Sequence, residues 1–284
     1  MKVLLQRFWL NRRASVCLIL LLILIAVAFG SHMVGRLDRT PHSELRFAPP
    51  SQEHWLGTDY AGRDIGMQLI FGARDVVTVS LLTGLFAVMI ALVMGMTAAY
   101  SAGRPLDSVI TAVIDIFLTV PNFPVMAIAA ALFQVRNPVA FALILAVWAW
   151  PDLARGIRAQ VLSLRTREFV EAAQVQAMGG RYILLHEILP NLIPFTLVHF
   201  IRLSRDAVAI SVGIMLLGLV PLQVENWGMM LNLAAVQSGA LYIPRAFSYL
   251  LSPLLAIVSY QFLLIGVAQG VEEAFDPRLS GTGR

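Results

Sequence analysis

The sequence predicts an all-α polytopic membrane protein with six transmembrane helices, and three observations predict it. Of 284 residues, 58% are hydrophobic and 13% are charged, about half the charged share usual in a soluble domain. Apolar stretches long enough to cross a hydrocarbon core of about 30 Å, ~20 residues as helix, recur along the chain. The polar stretches between them differ in arginine content in the way that orients such helices. These features exclude a soluble globule, a disordered chain and a disulfide scaffold. The single cysteine, Cys17, lies inside the first apolar run and reads as packing. Lys2 is the only lysine among 21 basic residues. A P-loop places a lysine after its glycines, so this chain cannot itself be a P-loop ATPase, and ATP-driven work would require a partner polypeptide.

The elements follow in order. Lys2, Arg7, Arg12 and Arg13 precede a charge-free run, 14–35, longer than the 7–15 or so apolar residues of a cleaved signal. It reads as an uncleaved first helix with a cytoplasmic N-terminus, or as a plain signal anchor. Residues 36–75 carry prolines and many charges and form an exposed segment, dividing the chain into 1–75 and a core of 76–284. The second run, 76–102, ends in a turn at Gly103, Arg104, Pro105 and Asp107. The third, 109–133, is interrupted by Pro121, Asn122 and Pro124, which predict a kink that can shape a cavity. The fourth, 138–151, is short and is expected to continue past Trp148 and Trp150 into a turn at Asp152–Arg155. Runs at 193–220 and 247–271 give the fifth and sixth helices, with an outside loop at 221–245. With the N-terminus inside, about 12 basic residues fall in cytoplasmic segments against about 7 outside, the direction of the positive-inside rule. Both termini are then cytoplasmic. No internal repeat relates the segments, and the eleven methionines read as bundle packing.

The polar stretch 155–190 reads as a coupling loop. Strong helix formers occupy its middle, with Phe169, Ala172, Ala173 and Gln176 at helical spacing. Gly179 and Gly180 are placed to stop that helix in a left-handed cap. A second short helix, 181–188, should end at Leu189-Pro190, because proline disfavours helix in the residue before it. The result is a rigid knob suited to docking in a groove of another protein, or a hairpin that merely packs on the bundle.

Here the residues carry a resemblance. Glu171-Ala172-Ala173, followed at a fixed distance by Ile188-Leu189-Pro190, resembles the EAA loop of the membrane subunits of ABC importers. The family's usual glycine, six residues after the glutamate, is Ala177 here, with Gly179 and Gly180 downstream. His54-Trp55-Leu56-Gly57-Thr58-Asp59, Gly62-Arg63-Asp64 and Leu69-Ile70-Phe71-Gly72-Ala73-Arg74 resemble the signature ahead of the permease core in C-type subunits of dipeptide/oligopeptide importers. Trp227-Gly228-x-Met230-Leu231 and Phe275-Asp276-Pro277-Arg278-Leu279 are similar to two further elements of that group. The resemblance implies a type I ABC importer permease fold and a non-catalytic chain in the inner membrane. It also implies a homologous second permease, two ATPase subunits that bind ATP and Mg, and an extracytoplasmic substrate-binding protein. Peptides lead as cargo, followed by β-linked oligosaccharides and nickel chelates. No cofactor of the chain's own is expected.

The fifth run holds His199, Arg202, Arg205 and Asp206 near its middle, where each charge costs about 2.5–3.5 kcal/mol on insertion scales, so they cannot face lipid. His199, Arg202 and Asp206 share a helical face, and Arg202 with Asp206 can form an i,i+4 pair. One reading is a translocation wall of net positive charge that guides acidic groups. The other is interhelical salt bridges, for example Arg205 with Asp115 of the third helix or with a carboxylate of the second permease. A different class, an ion-coupled secondary transporter, would use the same charges for coupling. The five histidines show no metal-ligand spacing, and no nucleotide loop, catalytic triad or nucleic-acid stripe stands out.

Overall fold

Four helices are each long and apolar enough to cross a membrane, and the count rises to six where each of two bent pairs makes one span. The computed structural model describes residues 8–220 and 222–275. Lys2, Arg7, Pro221 and the Asp276-Pro277-Arg278-Leu279 element lie outside them. The helices are α1 (Arg12–Phe29), α2 (Ile65–Tyr100), α3 (Pro105–Thr119), α4 (Asn122–Leu132), α5 (Pro138–Ala149), α6 (Pro151–Leu164), α7 (Glu168–Val175), α8 (Leu189–Leu216), α9 (Trp227–Asn232) and α10 (Phe247–Phe275). Residues 36–64 and 222–246 gather at one end of the bundle, here the upper end. The turn after α2 and the segment around α7 gather at the lower end.

The third and fourth crossings are the bent pairs. α3 and α4 meet at 88°, and α5 and α6 at 52°. The first bend is the kink expected at Pro121, where the ring removes a helical donor. The second differs from the expected turn at Asp152–Arg155. Pro151 starts a new helix instead, as proline at a first helical position does, and α6 runs on to Leu164. The first third of the stretch read as coupling loop is therefore packed helix, with Ile157 and Val161 buried.

α2 is the axis of the bundle, 36 residues and about 54 Å long. A side chain added at Gly84 would lie 2.3 Å from Ser204 Oγ and 2.9 Å from the Phe200 carbonyl, so its absence lets α8 close on α2. Gly95 does the same for α6. Polar bonds fix the depth at which these helices meet. Ser80 Oγ donates to the Ser204 carbonyl at 2.9 Å, Tyr260 Oη to Ser80 Oγ at 3.1 Å, and Thr83 Oγ1 to the Ala142 carbonyl at 3.3 Å. α1 lies along α10, with buried Cys17 seated against Gly266.

The exposed segment ends at Asp64, not residue 75. Asp64 accepts from Met67 N at 2.7 Å and caps α2, so the helix begins eleven residues before the apolar run and a division at 75 cuts through it. The upper segment is a polar knot. Asp59, fully buried, accepts from Ala61 N, Arg63 N, Arg63 Nε and Gln68 Nε2 at 2.8–3.0 Å, and His54 Nδ1 donates to Asp64 at 2.8 Å. Gly57 and Gly62, at φ 77° and 79°, turn the chain around it. On its exposed edge, hydrogen bonds from Thr40 hold Asp38 down to about 2, and Asp38 in turn raises His42. The stretch read as an outside loop, 221–245, is also built: Trp227 Nε1 donates to the Leu69 carbonyl at 2.9 Å and Asn232 Nδ2 to the Leu216 carbonyl at 2.8 Å.

At the lower end α7 stops in a Schellman turn, with Ala177 N–H on the Gln174 carbonyl at 2.9 Å and Met178 N–H on the Ala173 carbonyl at 3.1 Å. The left-handed residue is Ala177, at φ 59°, and not Gly179 or Gly180; Gly179 is extended at φ −62°. Met178, packed on the core beneath, draws the chain back two residues before the glycines. Nor does the second helix end at Leu189-Pro190. It runs unbroken from Gly180 to Leu216. A wide π turn at Ile183–Ile188 makes room for the Pro190 ring, which would otherwise meet the carbonyl one turn back.

Two outcomes follow. A Cβ at Gly72 would fall 1.8 Å from the Glu225 carbonyl, so Gly72→Ala should push the upper loop off α2 and lower stability by about 1–3 kcal/mol, read as a fall in melting temperature. An unchanged midpoint would disprove that approach. Ala177→Gly removes a left-handed strain of about 1 kcal/mol and should slow amide exchange across 178–183 roughly fivefold. Faster exchange would contradict the assigned turn.

Candidate functional site

Two features of the lower half stand out chemically: the corner carrying α7, and a charged cleft on α8 above it. The corner is seated by its apolar side. Val170, Ala173, Ile183 and Ile188 are buried in one cluster with Ala98, Ala99 and Val161 from α2 and α6. Its other side is presented outward: Glu171 and Ala172 are exposed, Val175 is 88% exposed and Leu185 52%. Of the residues singled out in sequence, Ala173 and Ile188 therefore anchor the corner, and Ala177 and the exposed Gly179 and Gly180 shape it. Glu171 and Ala172 form its face, while Leu189 and Pro190 continue into α8.

Along α8 the charges emerge in a different pairing from the one their spacing suggests. Arg202 is bonded to Glu272 of α10, and Asp206 is taken by its neighbour Arg205, with Nη2 at 2.6 Å and Nε at 2.9 Å. The i,i+4 pair of Arg202 with Asp206 is not made. Arg205 does not reach Asp115, which is bonded to Arg155 of α6. Below that pair Arg158 grips Asp107 with two bonds, at 2.7 and 2.8 Å. His199 donates from Nδ1 to the Phe195 carbonyl at 2.8 Å and packs against the Phe195 ring, separate from the arginines.

Two corrections follow. The wall is not net positive, because each arginine on α8 has its own carboxylate and the group of four sums to zero. The ion pair that crosses between helices joins Arg202 to Glu272. Sequence reasoning missed Glu272 because it lies just past the end of the sixth apolar run at residue 271 and reads as a terminal charge. Its distance of 70 positions from Arg202 leaves no local signal.

The pair Arg202–Glu272 lines a cleft of about 250 Å³ between α8 and α10, with Arg205, Gln269, Ile201 and Ala268. The two side chains are 51% and 40% exposed. Charges so exposed on a spanning helix face water or another protein rather than acyl chains. The arrangement offers both signs of charge at one membrane depth, on a helix continuous with the corner. Among the described residues no group of three or more His, Cys, Asp or Glu is arranged to hold a metal.

Comparison with known proteins agrees with this architecture. Residues 64–281 match the model of the family described as binding-protein-dependent transport system inner membrane component. The oligopeptide transport system permease protein OppC of Bacillus subtilis is 28% identical over 96% of this chain and 88% of its own length. The dipeptide transport system permease protein DppC of Alkalihalophilus pseudofirmus is 32% identical over 95% and 87%. Among solved structures, an inward-facing form of the MetNI methionine ABC transporter has a chain that superposes with a TM-score of 0.56. That chain is 17% identical, and the match covers 72% of this chain and 96% of that one, so the likeness is one of fold. With four to six apolar spans and a family match over most of its length, this multi-pass membrane protein belongs to the binding-protein-dependent transport system inner membrane component family.

Proposed function

We propose that the chain is one permease of an ABC importer and forms, with a homologous second permease, the path for short peptides delivered by a substrate-binding protein. The binding protein docks at the upper end. Two ATPase subunits, which bind ATP and Mg, take the lower end, with Glu171 and Ala172 in their grooves. The lower end and both termini are cytoplasmic, in accord with the arginine count. The chain has no catalytic role and no cofactor of its own.

The observation that carries this reading is the unbroken helix from Gly180 to Leu216. A push on the corner reaches the Arg202–Arg205 wall through hydrogen-bonded helix and not through a loop. ATP-driven closure of the partners thus becomes movement of the wall, in the manner of an element with two packed positions. The balanced charges suit a zwitterion, and the relatives named for oligopeptide and dipeptide transport support peptides over other cargo.

The test is uptake by the assembly purified with its partners and reconstituted in liposomes. Peptide uptake should require ATP and the loaded binding protein, and Glu171→Lys should reduce it at least about tenfold with the chain still inserted. ATP-independent uptake driven by an ion gradient would overturn the importer reading in favour of a secondary transporter. Stimulation by oligosaccharides or nickel chelates alone would overturn the cargo. In the same assay Arg202→Glu and Glu272→Arg should each cut uptake about tenfold, and the double exchange should restore most of it. Additive losses would show that the pair does not act as a unit.

A further inference from the structure

A second lower-end cavity, of about 200 Å³, lies at the seat of the corner and has no part in the importer reading. It sits where the turn after α2, the end of α6 and the start of the Gly180–Leu216 helix meet. Tyr100, Arg104, Arg165 and Gln174 bring polar groups to its lining, over an apolar floor that includes Val161 and Ile183. Its chemistry is one-sided, because two guanidinium groups, a phenol and an amide line it and no carboxylate does.

The neighbouring acid that could have neutralised it is committed elsewhere. Asp107 takes both Arg158 nitrogens and the Gly103 N–H, the last at 3.2 Å. Among the described residues neither Arg104 nor Arg165 enters an ion pair. Arg165 gives one N–H to the Ala99 carbonyl at 3.0 Å, which leaves most of its fork free. Two like charges lining one concave, partly apolar cavity repel each other and focus a positive potential. An oxyanion between them relieves the repulsion and accepts paired, charge-assisted bonds from the guanidinium forks.

We propose that this cavity binds a phosphate-class oxyanion, either free phosphate or the phosphoryl group of a lipid headgroup. Bound there, the anion joins Arg104 of the α2–α3 turn, Arg165 at the foot of α6 and Gln174 of α7. It therefore fastens the corner to the bundle and stiffens the segment that faces the ATPases. The binding itself does not depend on the importer reading and is measured on the chain alone.

The experiment uses the full-length chain in phosphatidylcholine nanodiscs and radiolabelled inorganic phosphate in equilibrium dialysis. Saturable binding that weakens with salt is expected. Arg104→Gln and Arg165→Gln should each weaken it about tenfold, and Arg167→Gln, whose side chain is outside the cavity, should change it less than twofold. Arg165→Lys keeps the charge but not the fork. It should lose affinity severalfold and serves if the glutamine variant does not fold. A parallel arm uses nanodiscs containing phosphatidylglycerol. Retention of that lipid by the wild type and its loss in the Arg104→Gln/Arg165→Gln variant, with no binding of free phosphate, assigns the phosphoryl group to a headgroup. Saturable binding of neither probe, or equal loss in Arg167→Gln, overturns the proposal.

Discussion

The closeness with which α2 admits its neighbours is the constraint on which the rest of this bundle depends. In a bilayer no hydrophobic gain distinguishes helix against helix from helix against lipid, so association rests on tight packing and interhelical hydrogen bonds. Gly84 and Gly95 lie on nearly one face of α2 and remove the side chains that would hold α8 and α6 away. Once the backbones approach, Ser80 reaches the Ser204 carbonyl and Tyr260 reaches Ser80. Those bonds, each worth about 0.6–2 kcal/mol, lock three helices at one depth. The lateral position of α8, and with it that of Arg202 and Arg205, follows from this clamp.

The upper end obeys a second constraint, that buried polar groups must be paired. Asp59 could not remain buried without its four donors, and two of these come from Arg63. The Gly-Thr-Asp and Gly-Arg-Asp sequences that drew attention as a signature are thus explained by folding. They close a polar knot, and the last aspartate then caps α2. The knot holds the upper loop against α2, where Glu225 meets Gly72 and is bonded to Arg39.

How much was legible in the sequence follows from the range of each interaction. The apolar spans and the kink at Pro121 were readable because hydropathy and proline act on their own segment. The start of α2 was not, since a capping aspartate within a polar stretch outweighed the composition of the next eleven residues. The corner was misplaced by two residues because Gly179-Gly180 is the stronger local signal for a left-handed cap, whereas Met178 finds its packing on the lower core cluster. Pro190 read as a stop, yet a π turn absorbed it, since helices packed on both sides leave the chain no other course. The charge pairs were least legible. Asp206 lies one turn from Arg202, but which carboxylate each arginine takes depends on how α10 crosses α8.

That pairing sets how the wall can respond to motion. Arg205 and Asp206 are adjacent in sequence, so their bond travels with α8 wherever the helix goes. Arg202 is bonded across to Glu272, so its bond lengthens or breaks when α8 moves against α10. Two ion pairs at nearly the same depth therefore differ in kind, one internal to the moving element and one spanning its boundary. The compliance of the long helix is also unevenly placed. Pro190, Pro194 and the π turn concentrate missing or widened hydrogen bonds in its lower part, while Gly84 and Ser80 hold it near Ser204. Arg202–Glu272 lies immediately beside the clamp and spans the boundary between α8 and α10.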